Sequence, residues 1–319
     1  MNSKKASLIA AIILTGLSFF AFSTTYYLSN SGEDTNTGLS WDQAWRTIAH
    51  AVENTKDGDI IIASNGMFEA ANIIITNGIT IRSFSGVPSS TVFARPSGPS
   101  LRVFQLSHSN AVLENISIRK GYVGGHGGGV YVLSGTVKSC IVESNSAPDP
   151  YKGGGGICID GPGRVINCVI RNNYGCHYSG GIYLKNPQAV VKNCVISNNS
   201  AYYFGGGVYM ENGIVKNSLI CKNWLVGNHP TYGGGGVHIS GGQLINCTVS
   251  GNTVNDATPG GGVLKAGGTI TNCIIYYNLK GTLPNNISSI SGVQYSCAPE
   301  LTSGTGNVTN EPEFFNYSS

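Results

Sequence analysis

Through the middle of the chain, apolar residues alternate with others in runs of only three. Val130 and Val132, Ile157 and Ile159, Ile182 and Leu184, Val208 and Met210, and Val237 and Ile239 each bracket one residue of another kind. A period of two belongs to a strand that turns one face inward. After a short turn, such as Ser134-Gly135, Asn212-Gly213 or Gly241-Gly242, a second apolar run follows. It reads VKSCIVESN at 137–145, VINCVIRNN at 165–173, VKNCVISNN at 191–199, VKNSLICKN at 215–223, LINCTVSGN at 244–252 and ITNCIIYYN at 270–278. Its central Cys moves through 140, 168, 194, 218 (Ser), 247 and 273, in steps of 28, 26, 24, 29 and 26 residues. A period of this size marks stacked supersecondary units. Parallel strands ordinarily need a long crossover. A helix-free coil of 24–29 residues meets that need by winding each turn onto the one below. Leu113–Ile118, LENISI, reads as an earlier turn with Ile116 in the Cys position.

The N-terminal part has a different pattern. Ser40-Trp41-Asp42-Gln43 has the form of a capping box, and Trp41, Trp45, Ile48 and Val52 follow at helical spacing. The pattern predicts an amphipathic helix over 40–54, closed by the turn Lys56–Asp59. Short β-branched runs at 60–63, 73–75 and 79–81 predict strands. One helix followed only by strands predicts a cap over the end of the stack, which solenoids require.

Composition refines this picture. Charged residues make up 11% of the 319, and there are 45 Gly. The surface is therefore polar without being ionic. A net charge of +3 gives no basis for binding nucleic acid. Residues 1–23 carry Lys4 and Lys5, the apolar run Leu8–Phe22 and the small-residue site Ala21-Phe22-Ser23. This is the make-up of a cleaved secretory signal, and the run is short for a membrane anchor. No later segment is long and apolar enough to span a membrane. Of nine Cys, five share one repeat position, which predicts buried free thiols in a stack; a disulfide is left to Cys158, Cys176, Cys221 or Cys297. Expected divisions are the signal at 1–23, a cap and first turns at 24–100, repeats at 101–278, and an irregular, possibly truncated segment at 279–319.

The stretch from Tyr26 to Phe68, YYLSNSGEDTNTGLSWDQAWRTIAHAVENTKDGDIIIASNGMF, resembles the opening of secreted bacterial proteins of the pectin-lyase-like superfamily. The repeats, with their Cys or Ile strand, Asn-Asn-Ser-Ala and Gly-Gly-Gly-Val-Tyr, are similar to that group and to repeats of chlamydial polymorphic outer-membrane proteins. The resemblance covers about residues 24–278. It implies an all-β fold, a right-handed parallel β-helix with an N-terminal capping α-helix. It specifies function weakly, because one scaffold carries many activities.

Two Asn positions recur. One precedes the Cys (Asn167, Asn193, Asn217, Asn246, Asn272) and one follows it by five (Asn145, Asn173, Asn199, Asn223, Asn252, Asn278). Asn tolerates left-handed bends, and at one strand spacing its amide can bond the Asn above and below. These positions are expected to be scaffold, as are the six glycine clusters.

Strand alternation predicts two outward columns. The first is Tyr131, Cys158, Tyr183, Tyr209, His238 and Leu264. The second is Leu133, Asp160, Lys185, Glu211, Ser240 and Ala266. Acid, base and aromatic groups converge there. The resemblance implies a polysaccharide-active face mid-solenoid, with Lys185 as base or charge stabiliser in β-elimination and His238 or Tyr209 as proton carrier. Asp160 and Glu211, two turns apart, would be on the order of 9–10 Å from each other, near the separation of an inverting pair. The competing reading is a ladder of alternating charge that only stabilises the sheet.

Variable loops before the glycines carry Tyr151, Tyr174, His177, Tyr178, Tyr202, Tyr203, Phe204, Trp224, His229 and Tyr232. Such loops on a rigid scaffold either bind or shield. Tyr183, Tyr209, His177, Tyr178, Tyr203, Trp224, His229 and Tyr232 form the candidate glycan-binding set. No calcium cluster or zinc spacing is present, and no cofactor is implied. A third column, Ile141, Val169, Val195, Leu219, Thr248 and Ile274, is apolar although alternation points it outward; it is a possible protein contact. The expectation is a secreted or cell-surface protein that binds an extracellular polysaccharide. The alternatives are a polysaccharide lyase or glycoside hydrolase, and an adhesin.

Overall fold

The computed structural model describes residues 23–313, so the expected signal lies almost wholly outside the described residues. The chain winds into about nine turns that build four sheets of 11, 8, 9 and 7 strands. One turn shows the plan: Ile182–Leu184, Val190–Lys192, Val195–Ser197 and Ser200–Ala201 lie on four different sheets. The strands of the repeats pair in parallel with their counterparts one repeat away, as Val165↔Val191↔Val215 and Ile170↔Ile196↔Ile220 do; Leu283–Pro284 alone among the described strands pairs antiparallel, with Leu279–Lys280. The inward residues form one continuous core from Leu28 to Leu301.

The V-x-N-C-x-I run is therefore two strands meeting at a corner. The residue before the Cys makes that corner. Asn167, Asn193, Asn217, Asn246 and Asn272 have φ between 51° and 55°, and Asn115 has φ 54° ahead of Ile116. The second corner falls one residue earlier than expected, at Ser144, Asn172, Asn198, Lys222, Gly251 and Tyr277. The Asn that follows it has a separate task. Asn173 Oδ1 accepts from both the backbone N and Nδ2 of Asn145, and Asn199, Asn223, Asn252 and Asn278 repeat the arrangement at 2.9–3.0 Å.

The Cys ladder serves the first corner in the same way. The Cys140 backbone N donates to Cys168 Sγ at 3.4 Å, while Cys194 N donates to Ser218 Oγ at 3.1 Å. A thiol or a hydroxyl satisfies the same buried amide, which explains why Ser218 fits the series. All nine cysteines are free.

The expected helix over 40–54 is a correction. A single 3-10 turn covers Trp41–Gln43, and the α-helix spans only the six residues Ile48–Glu53. Ser40 makes no side-chain cap; Thr47 is the cap, accepting from the His50 backbone N. Two interactions break the longer helix. Trp45 bridges Leu28, accepting from Ser29 N at 2.8 Å and donating to Tyr27 O at 2.9 Å. The Asp34 carboxylate takes the backbone N–H groups of Arg46 and Thr47 and the Thr47 hydroxyl at 2.7–2.9 Å. Trp45 is buried but Trp41 is not.

The apolar column does point outward. Val195 and Leu219 are 37% and 38% exposed. The C-terminal segment continues the stack instead of covering them, through bridges Ile274↔Cys297 and Cys297↔Val308. Among the described residues, no helix is long and apolar enough to cross a membrane.

Candidate functional site

The glycine-led strands place the first outward column in register, Tyr131↔Cys158↔Tyr183↔Tyr209↔His238↔Leu264. The second column stacks beside it, with Asp160, Lys185 and Glu211 on consecutive turns. Asp160 Oδ2 accepts from Lys185 Nζ and from the Tyr131 hydroxyl, both at 2.6 Å. The Tyr183 hydroxyl donates to Glu211 Oε1. His238 Nε2 lies 3.1 Å from Ser240 Oγ, which is 3.3 Å from the Tyr209 hydroxyl. The convergence expected from alternation is present.

Exposure is not as expected. Tyr183, Tyr209 and His238 are only 2%, 8% and 4% exposed, and Cys158 is fully covered. They leave the sheet outward but meet a roof. Tyr178 stacks at 5.0 Å on Tyr183 and 5.1 Å on Tyr209. Phe204 lies 4.8 Å from His238, and His126 lies 5.3 Å from Tyr183. Tyr183, Tyr209 and Tyr178 thus form an inner aromatic layer, and the first two are buried. Stacking of sugars on Tyr183 or Tyr209, and proton carriage to substrate by His238, do not fit this burial.

The protonation states follow from the same packing. Burial opposes ionisation of Asp160, but the Lys185 and Tyr131 hydrogen bonds outweigh it and hold the carboxyl below its usual range. Burial alone would lower Lys185, yet the Asp160 contact raises it. Lys185 therefore stays protonated and is unsuited to accept a proton. Burial drives His238 and His126 down to about 4, so both are neutral at pH 7.

The outer loop residues form a second layer. Parallel bridges Gly153↔Tyr178↔Phe204↔Gly233 put the preceding residues, Lys152, His177, Tyr203 and Tyr232, one above another. Ring centroids run Tyr151–His177 4.9 Å, His177–Tyr203 4.9 Å and Tyr203–Tyr232 5.0 Å, and His229 stacks on Tyr232 at 4.1 Å. The result is an aromatic ridge parallel to the solenoid axis, repeating at the strand spacing. Tyr151 is 68% exposed. Trp224, in the strand Trp224–Leu225 of another sheet, takes no part in these ring contacts.

Two site neighbours escaped the pattern. Arg102 lies 4.7 Å over the Tyr131 ring, donating to Gln105 Oε1 and the His126 carbonyl. His126 Nδ1 accepts from Gly153 N at 3.2 Å. Neither stands at a recurring column position; His126 directly precedes a glycine cluster, and nothing in the sequence marks Arg102. Two hollows on the surface of the described residues lie elsewhere. One of about 360 Å³ is lined by Asn30, Arg46, Thr47, Met67, Phe68 and Glu69, and one of about 260 Å³ sits beside Leu219 and Cys221. Among the described residues, no group of three His, Cys, Asp or Glu could hold a metal ion.

Comparison with known proteins agrees with this architecture. Residues 103–278 match the family described as right handed beta helix region. Pectate lyase Pel9A superposes with a TM-score of 0.58 at 15% identity, covering 91% of this chain and 80% of that one. A rhamnogalacturonan lyase (TM-score 0.44, 13% identity, 92% and 90% covered) and a pectin methylesterase from Aspergillus niger (0.41, 11%, 92% and 93%) also align. At these identities the likeness is one of fold. No curated protein matches.

Proposed function

The chain belongs to the right handed beta helix region family, and from that premise we propose that it is a secreted protein that binds an extended polysaccharide along its aromatic ridge without cleaving it. The observation that carries this reading is the in-register row His177, Tyr203 and Tyr232, with Tyr151 at its end and rings 4.9–5.0 Å apart on a rigid scaffold. Aromatic side chains offer large faces at little entropic cost, and a row of them suits a long ligand. A solved structure of similar fold is the pectate lyase Pel9A.

The charged cluster supports binding over cutting. A base for β-elimination needs a free lone pair near neutral pH. Lys185 is held protonated by Asp160, and Asp160 is held ionised by Lys185 and Tyr131. The Tyr183 hydroxyl is committed to Glu211 beneath the roof. Asp160, Lys185 and Glu211 act here as a ladder that anchors the inner tyrosines.

The test has two arms. Tyr203→Ala should weaken retention of the protein on an immobilised glycan, while Trp224→Ala, off the ridge, should not. Incubation with soluble glycans should release neither ultraviolet-absorbing unsaturated ends nor new reducing ends. Release of either that disappears in Lys185→Ala would replace binding by catalysis.

A further inference from the structure

Building on the binding reading, we infer that the ligand of the ridge is a neutral glycan lying parallel to the solenoid axis, not a polyuronate. The direction comes from the register. Successive rings sit on successive turns, with centroids 4.9–5.0 Å apart. One sugar per turn can then meet one ring per turn.

The charge comes from the loops that carry the rings. Residues 148–153, 174–179, 202–205, 224–234 and 255–260 contain two acids, Asp149 and Asp256, and one base, Lys152; the formal sum is −1. A polyuronate presents a carboxylate on every residue and needs cations to meet it. Lys152 is the single base in the row; the other nearby cations are committed elsewhere. Lys185 Nζ is on Asp160 at 2.6 Å, and the Arg102 guanidinium is flat on Tyr131 with bonds to Gln105 and the His126 carbonyl. Burial lowers both His126 and His177, which leaves these rings uncharged at pH 7. Apart from Lys152, aromatic faces and backbone polar groups remain, the surface that a neutral sugar ring uses.

Tyr151 supplies an independent observation. Its φ is 61°, a left-handed conformation that bulky side chains rarely adopt. It does not belong to either recurrent corner. The strain holds an exposed ring at the end of the row, 4.9 Å from His177. Strain of this kind gathers where a ligand is gripped.

The experiment is native affinity electrophoresis of the mature chain through gels containing β-1,4-linked glucan, xylan or mannan, and through gels containing polygalacturonate or alginate, each at low and high salt. Retardation by a neutral polymer, unchanged by salt, supports the inference, because only charge–charge contacts are screened. Retardation by a polyuronate that fades with salt overturns it and leaves the binding reading standing. Retardation by none overturns both. Tyr151→Gly adds a second readout. Glycine relieves the left-handed strain, so its urea midpoint should hold or rise, while its Kd for the neutral polymer should weaken about fivefold to tenfold for one lost ring contact. An unchanged Kd would remove Tyr151 and the argument drawn from it.

Discussion

Replacing Asn199 by Ala should be among the most damaging single changes in the chain. Its side chain is fully buried and makes four hydrogen bonds. Oδ1 accepts from Asn173 N at 3.0 Å and Asn173 Nδ2 at 2.9 Å; Nδ2 donates to Ile170 O at 2.9 Å and Asn223 Oδ1 at 3.0 Å. Asn173 Nδ2 keeps a second acceptor at Val142 O, but the Asn173 backbone N–H loses the Asn199 oxygen inside the core. An orphaned buried donor costs about 1–3 kcal/mol, and the other three neutral bonds about 0.5–1.5 kcal/mol each, so the total is roughly 2.5–7.5 kcal/mol. Asn193→Gly is the control. It removes an exposed bond to Asn167 Oδ1 at 3.1 Å and keeps a residue suited to φ 55°. Its cost should be within about 0.5 kcal/mol of zero. The assay is urea unfolding followed by circular dichroism, with hydrogen exchange at the Asn173 amide as a local readout, because solenoids can unfold in stages. Asn199→Ala should lower the midpoint sharply and abolish protection at Asn173. Equal midpoints for the two variants would show that the buried ladder contributes nothing beyond the exposed one.

Three further outcomes follow from the same geometry. Gly181→Ala should cost about 2–3 kcal/mol in urea unfolding, because a Cβ there would stand 2.4 Å from the Gly207 carbonyl oxygen, backbone that cannot swing away. Glu143 bridges Arg119 at 2.5 Å and Arg171 at 2.6 Å; Glu143→Ala should cost about 1–2 kcal/mol, with the two arginines partly exposed and able to rehydrate, and a loss under a few tenths would rank the triad as ornamental. Stability should fall on acidification from about 6.5 towards about 4, because His126 and His238 are neutral in the folded state and protonate when the chain unfolds. The unfolded chain binds more protons across that window, so stability rises with pH. His238→Phe, which keeps the ring against Phe204 and Tyr209, should flatten the slope; an unchanged slope would assign the titration elsewhere.

Much of the fold was legible because every periodic residue has its own counterpart as partner. Cys194 meets Ser218, and Asn199 meets Asn223, each one repeat away, so spacing along the chain is also contact in space. The same logic places Asp160 beside Lys185, and Tyr183 level with Tyr209. It also placed Val195 and Leu219 on the outside, where they remain half exposed. It failed for residues outside the repeat. The 40–54 helix was read from local spacing, but Asp34 and Leu28, distant in the chain, took the backbone groups it needed.

What the sequence alone determined is the address of each outward side chain. Strand alternation and a recurring strand motif leave one register, since a slip of one residue would expose the core. Only the tertiary structure decided which outward groups meet solvent. The loops vary in length and have no period, so nothing along the chain says that Tyr178 and Phe204 fold back over Tyr183, Tyr209 and His238. That packing turned an expected binding face into an inner layer. It moved the surface for recognition to the ring row above it, from Tyr151 to Tyr232.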